Sequence, residues 1–436
     1  MNVLMWFRRD LRSSDHPALA EAAASGAVLP LYIIAPSVWA AATASGRQWD
    51  FISESLQELR DSLAQLGAPL VVRVGEVQDV LPRMVRQNAI DRICLTEAGQ
   101  DDPDVSALRD WALGRDLIWS ELPAPRPQQP ALPASQLQAL AGIEPGALPH
   151  ARALKLAEDR CPHRQYGGRS RAEAQLRSFL TKRGLDYLDA QQQAALAERA
   201  SSRLSPYLAH GVLSQAEVAR ACEAQAAVAD PAWVDPLHRF RQNLLQRRRK
   251  TQQAMARPAS QPAALTLFPC RSRAERFRAW KAGETGLPFL DASMRYLAKT
   301  GWLNHPMRAM AASVALHQLD LPFDAVSNHL ARLCTDYDPQ LHGSYMAGLA
   351  AGSKGIDPVR LGERLDPQGQ FIRRWLPELA ALPDSAIHSP WRWAQAGSLL
   401  GDRYPEPIAN PAGSAPIARK SAAAPSAAPE QLALAL

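Results

Sequence analysis

Cysteine is scarce: five residues in a chain of 436, at positions 94, 161, 222, 270 and 334, with no C-x-x-C pair and no Cys/His spacing. That scatter excludes a disulfide framework and a thiolate zinc site, and predicts a protein of a reducing, cytoplasmic compartment. No segment reaches the roughly 18 consecutive apolar residues that a membrane span needs. The start, Met1 to Phe7, passes straight into Arg8, Arg9 and Asp10, the reverse of a secretory leader's order. An excess of charge is also missing. Lys plus Arg number 49 against 43 Asp plus Glu, so the net charge of +6 suits an anionic partner without requiring one. Aromatic residues make up only 6%, yet 47% of the chain is hydrophobic, enough for more than one packed core.

What is present alternates. Short apolar runs at Val3 to Phe7, Val28 to Ile34, Leu70 to Val74, Ile90 to Thr96 and Leu117 to Leu122 read as buried strands separated by helical patterns. The clearest helix is Phe51 to Leu66, where Ile52, Leu56, Leu59, Leu63 and Leu66 recur at spacings of four and three before Gly67 ends it. Alternation of this kind predicts an α/β domain over residues 1–123 with a parallel, Rossmann-like sheet covered on both faces. Residues 124–150 are rich in Pro, Ala and Gln and read as a linker. From 151 to about 400 the apolar period is helical, at Ala172 to Lys182, Ser214 to Ala226, Pro236 to Ala254, Phe289 to Thr300 and Arg308 to Gln318, which predicts an all-α second domain. Residues 410–436 are Ala/Pro/Ser-rich and read as a disordered tail.

Four motifs narrow the function: Trp6-Phe7-Arg8-Arg9-Asp10-Leu11-Arg12 after the first strand, Ser201-Ser202-Arg203-Leu204-Ser205-Pro206-Tyr207-Leu208, Gly286 to Arg295 (GLPFLDASMR), and Asp366 to Leu379 (DPQGQFIRRWLPEL). In that order and separation they resemble the cryptochrome and DNA photolyase family, over about residues 1–395. The resemblance implies an N-terminal antenna-type α/β domain and an all-α domain that holds FAD. It also implies a pocket beside the flavin where a pyrimidine photoproduct is repaired by light-driven electron transfer.

Each site then maps onto this chain. Ser201, Ser202, Arg203, Leu204 and Ser205 form a polar turn before a helix, suited to a diphosphate, though a plain helix cap is the alternative. By resemblance this segment grips the FAD phosphates, with Tyr187 assisting. Arg308 and Asp336 match an ion pair against the flavin ring, Asp338 a second acidic contact, and His342 the position facing flavin N5. Arg247 matches a phosphate-contacting arginine and is counted with the cofactor set. On the same helix, Asn243 and Gln246 stand where the family presents a glutamate and a tryptophan, respectively, to the lesion. With Arg248, Arg249 and Lys250 they form the expected DNA-facing set, extended by Arg239, Arg241, Arg271, Arg273, Arg276 and Arg278.

The chain departs from the family elsewhere. Loss of the aromatic removes a stacking surface worth roughly 1 to 3 kcal/mol per base. The family's electron-relay tryptophans fall on Cys270, Phe323 and Met346, so a relay needs another path, through Trp280, Trp302 or Tyr345. The segment Gly355 to Arg360 is short and lacks the family's Asn-Pro element. No antenna pigment is assigned: Arg8, Asp10 and Arg12 sit at the ligand-binding edge of a parallel sheet but equally suit a domain interface. No metal site is expected, including an iron–sulfur centre. The expected partner is DNA, the alternatives being a photoreceptor read by a protein partner or a scaffold without cofactor. The expected state is a monomer.

Overall fold

The structure is a computed structural model, and it describes residues 1–97, 102–255, 272–352 and 355–409. The expected strands form as β1 (Asn2–Phe7), β2 (Ala27–Ile34), β3 (Val71–Val74), β4 (Arg92–Thr96) and β5 (Ile118–Leu122). All pairs are parallel, in the order β3-β2-β1-β4-β5. The three inner strands are continuously apolar because helices cover both faces: Val3, Met5 and Phe7 of β1 point into one core, Leu4 and Trp6 into another.

The segment read as a linker also packs. Because β3 pairs only with Leu31 to Ile34 of β2, the start of β2 is open, and β6 (Gln138–Ala139) pairs there with Ala27 and Val28. Leu137 is buried beside it, and its amide donates to Leu66 O.

The remainder is helical, with helices at Arg169–Thr181, Gln215–Val228, Val234–Met255, Arg273–Ala282, Pro288–Thr300, His305–Ser313, Phe323–Leu333 and Pro339–Ala351. The apolar window at 308–318 divides into an α-helix and a five-residue π-helical turn, Val314–Gln318. That turn receives the shortened loop, since Gln318 Nε2 donates to Ile356 O at 3.0 Å and Ile356 N donates to Ser313 Oγ at 2.9 Å. The tail expected from 410 onward lies outside the described residues.

One buried polar knot ties the end of the described chain to this domain. Asp291 accepts from Thr285 N and Oγ1, Gly286 N and the Tyr404 hydroxyl, the last at 2.6 Å. Burial nevertheless pushes its pKa up to about 6.

The two domains meet through the turn after β1. Leu11 N donates to His210 O, Arg12 Nη1 to Gly211 O, and Arg9 Nη1 to the carbonyls of Ala209 and Tyr337. Gly211, at φ +65°, lies so close that an added Cβ would stand 2.1 Å from Arg9 O. A second seam is made by Arg47 and Gln48, both buried, whose side chains donate to main-chain carbonyls of Leu297, Leu333, Ala331 and Cys334. Arg12 is therefore an interface residue. Arg8 pairs with Asp102, and Asp10 accepts from Thr96 Oγ1 and lies 3.0 Å from His16 Nε2, at the crevice between β1 and β4 where strand order reverses.

Candidate functional site: a cofactor cradle in the helical domain

The first element is the segment 201–205. Ser201 follows the helix Ala194–Ala200, and Ser205 begins a five-residue helical turn, Ser205–Ala209. All five residues are buried. Arg203 adopts φ +58°, a left-handed conformation that costs a non-glycine residue free energy and is held by its surroundings. Those surroundings are explicit. Gln165 Nε2 donates to Arg203 O at 2.7 Å, the guanidinium donates to Gln165 Oε1 and to the Tyr296 hydroxyl, and it lies 4.4 Å over the Trp302 ring. The main-chain carbonyls of Ser201 and Ser202 accept from Arg183. The segment is fixed independently of any ligand.

Across from it, the first residues of His305–Ser313 and the turn before Pro339–Ala351 bring Arg308 to Asp336, with Arg308 Nη2 at 3.0 Å from both carboxylate oxygens. Asp336 is buried. Burial opposes its charge, but the Arg308 charge and hydrogen bond, with the Ser205 hydroxyl and Arg247 nearby, keep its pKa below the usual carboxylate value. The same partnership raises the Arg308 pKa. Asp338 caps the helix Pro339–Ala351 by accepting from Gln340 N and Leu341 N, both at 3.1 Å.

The structure sorts the remaining expected residues. Arg247 turns inward, where the charges of Asp338, Asp336, Arg308 and Arg9 act on it. Tyr187 is fully buried in an aromatic cluster with Phe179 and Phe240, and its hydroxyl accepts from Asn243 Nδ2 at 2.9 Å. His342 directs Nε2 at Ser327, 3.0 Å from the hydroxyl and 3.1 Å from the carbonyl. Since that carbonyl only accepts, Nε2 carries the proton. Burial, with Arg308 nearby, lowers the ring's pKa to about 4, so His342 is neutral and Nδ1 is a lone-pair acceptor.

The DNA-facing set needs correction. Asn243 is completely buried and cannot meet nucleic acid. On the helix Val234–Met255 the inward positions are Leu237, Phe240, Asn243 and Leu244, spacings of three and four that place Asn243 on the core face, while Gln246 is exposed. The side chains of Arg248, Arg249 and Lys250, and all of Cys270 and Arg271, lie outside the described residues. Of the other arginines, Arg241 pairs with Glu223, Arg273 with Asp320 at 2.8 Å, and Arg276 is buried, leaving Arg239 and Arg278 exposed.

Sequence reasoning passed over Arg9 and His305, and read Tyr345 only as a step of an electron relay. His305 opens its helix behind the N-cap Asn304, and its ring lies 5.2 Å from Tyr345. The Asn-x-x-Met cap was a readable signal for that position; Arg9, between two flagged neighbours, carried none. Among the described residues, Asn243 Oδ1, Arg308 Nε and the Tyr345 hydroxyl are buried without a protein hydrogen-bond partner. Each such atom costs about 1 to 3 kcal/mol unless a ligand or water satisfies it. Donors and acceptors left in this way beside a buried Arg/Asp pair and a pre-set polar turn fit a large polar cofactor such as FAD.

Comparison with known proteins agrees. The family profile "DNA photolyase" matches residues 3–104, and "FAD binding domain of DNA photolyase" matches residues 237–423. The chain is 28% identical to a cryptochrome DASH of Natronomonas pharaonis, covering 93% of this chain and 97% of that protein. It is also 28% identical to the deoxyribodipyrimidine photo-lyase of Salmonella typhimurium, covering 93% and 95%. The fold superposes on a class III photolyase from Agrobacterium tumefaciens with a TM-score of 0.81 at 24% identity, over 94% of each chain. A Synechocystis cryptochrome gives 0.79 at 24% identity, over 94% of this chain and 96% of that one. The chain belongs to the cryptochrome/DNA photolyase family, and its helical domain is the FAD-binding domain of that family.

Proposed function

We propose that this chain is a light-driven flavoprotein that repairs pyrimidine photoproducts in DNA. The observation that carries the reading is the buried Arg308–Asp336 pair, facing Arg247 and Asp338 and opposite the fixed 201–205 turn. Bound FAD supplies light absorption and a reducing electron. The chain's own residues do the rest. Arg308 and Arg247 offer donors, Asp336 and Asp338 offer acceptors, and neutral His342 keeps a proton at Nε2 toward Ser327. A non-enzymatic photoreceptor is the second reading. It is favoured by the burial of Asn243 and by the absence of Phe, Tyr or Trp among the described exposed positions from His238 to Gln246.

The test begins with the absorption spectrum of protein purified in the dark, and identification of any chromophore released by heat. Stoichiometric FAD is expected, with its loss in Arg308→Ala. Protein that stays flavin-free even with excess FAD overturns both readings. Light-dependent restoration of ultraviolet-damaged oligonucleotides then separates repair from sensing: a loaded protein that leaves the lesion intact is a sensor.

A further inference from the structure

Residues 164–168 lie outside both matched profiles, yet they form a strap that joins the helix Gly46–Gln65 of the α/β domain to the 201–205 turn. On the α/β side the strap is clamped. Arg164 donates through both Nη atoms to the Glu54 carboxylate, at 3.0 and 2.6 Å. Gly167 N donates to the same carboxylate at 2.7 Å, and Gly168 N donates to Ser55 Oγ at 3.0 Å. The approach requires glycine, since an added Cβ on Gly167 would stand 2.0 Å from Phe51 O.

On the helical side the strap grips the turn and the helical turn that follows it. Gln165 Nε2 donates to Arg203 O, Gln165 Oε1 accepts from Arg203 Nε, and Tyr166 O accepts from the Tyr207 hydroxyl at 2.8 Å. A side chain that meets a carbonyl and a guanidinium must donate and accept at once, which an amide does and a carboxylate does not. The bond to the carbonyl bears on the backbone. Arg203 is left-handed at φ +58°, a conformation that a Cβ disfavours, and Leu204 after it is right-handed at φ −92° and ψ −7°. A left-handed residue beside a right-handed one turns successive amides to one side, the form in which a main chain receives an anion. Tyr296 and Trp302 hold only the guanidinium; among the described residues, the carbonyl of Arg203 is held by Gln165.

We propose that Gln165 is a positioning residue for FAD: it holds Arg203 left-handed and so keeps the amides of the 201–205 turn directed at the cofactor's diphosphate. The inference rests on the reading of that turn as the diphosphate site. Through Glu54, Ser55 and the strap, the α/β domain thus takes a share in holding a cofactor that the helical domain carries.

The test uses the full-length protein loaded with FAD, as the parent, Gln165→Ala and Gln165→Glu. The rate of FAD release is read from the rise of flavin fluorescence on dilution, and the state of the bound diphosphate from its phosphorus NMR shifts. Gln165 is half-buried and belongs to no core cluster, so both substitutions leave the packing intact. Each should release FAD about tenfold faster and move the phosphorus resonances toward those of free FAD, with the flavin absorption band in place. Glutamate keeps the acceptor for the guanidinium and lacks the donor for the carbonyl, so it separates the two bonds. Arg203→Gly supplies the rescue, since glycine adopts positive φ unaided: in that background Gln165→Ala should change release by less than about twofold. Release and phosphorus shifts equal to the parent's in Gln165→Ala or Gln165→Glu overturn the proposal, as does a full effect of Gln165→Ala in the Arg203→Gly background. A parent that takes up no FAD, or whose bound FAD keeps the phosphorus shifts of free FAD, overturns the reading beneath the proposal instead.

Discussion

Asp336 is a charge kept inside a helical domain by one guanidinium, and such pairs cost more to break than they contribute. Removing a single partner from a buried ion pair typically costs about 3 to 5 kcal/mol, whereas replacing both by apolar groups is close to neutral. Arg308→Ala should therefore lower stability in urea by about that amount, and Arg308→Leu/Asp336→Leu should recover most of it. FAD binding should be lost in both. A double variant that still binds FAD would remove this pair from the cradle. Asp291 makes a different prediction. Its pKa in the folded protein, about 6, lies above the ordinary value of 3.8, so the native state holds the proton more tightly than the unfolded chain. The associated stability is complete below pH 3.8 and is lost as pH rises through 6, an effect of about 3 kcal/mol. Chemical unfolding of the parent and of Asp291→Asn across that window should show the decline in the parent alone.

At the scale of elements, the strands were legible because helices cover both faces of the inner ones and each is an apolar run bounded by turn residues. The helices at 169–181, 215–228, 234–255 and 288–300 were legible from their period, to within a few residues at the ends, whereas Phe323–Leu333 and Pro339–Ala351 were not singled out. Asn243 was misplaced because the family register was given priority over the helix's own spacing. Phe240 and Leu244 flank it on one face, and a polar residue in that stripe is more economically read as a buried hydrogen-bonding group. The 201–205 turn was legible as a polar motif, but the left-handed Arg203 was not, since it is imposed by Gln165 and Tyr296, residues far away in sequence. The π-helical turn at 314–318 has no local signature. The tightest test of an element is Gly211. A Cβ there would collide with Arg9 O at 2.1 Å, and the backbone is left-handed. Gly211→Ala should shift thermal unfolding downward by several degrees, or divide it into two transitions, in calorimetry.

For the molecule as a whole, the seam contains a titratable group buried on all sides. His210 touches Phe51 across the interface and places Nε2 3.2 Å from Thr335 O. Burial, helped by Arg9, lowers its pKa to about 3. A histidine whose folded pKa is depressed stabilises the fold above its ordinary value of 6.5, and that stability is lost as pH falls toward 3. At pH 5 the penalty is about 2 kcal/mol from this residue. Mild acid should thus loosen the seam before either core unfolds, visible as protease cleavage between the domains at pH 5 that His210→Gln reduces. The turn after β1 has one more consequence, for synthesis. Every strand of the α/β sheet except the two-residue β6 has been made once Leu122 is complete, so the sheet can assemble on the ribosome. Arg9 must wait for Ala209 and Tyr337, the latter 328 positions later. At about 5 to 20 residues per second that is a delay of roughly 16 to 66 seconds. For the part of that interval that follows Leu122 the nascent chain carries a folded sheet whose carboxyl edge is open to water and to chaperones, and it closes only when the helical half arrives.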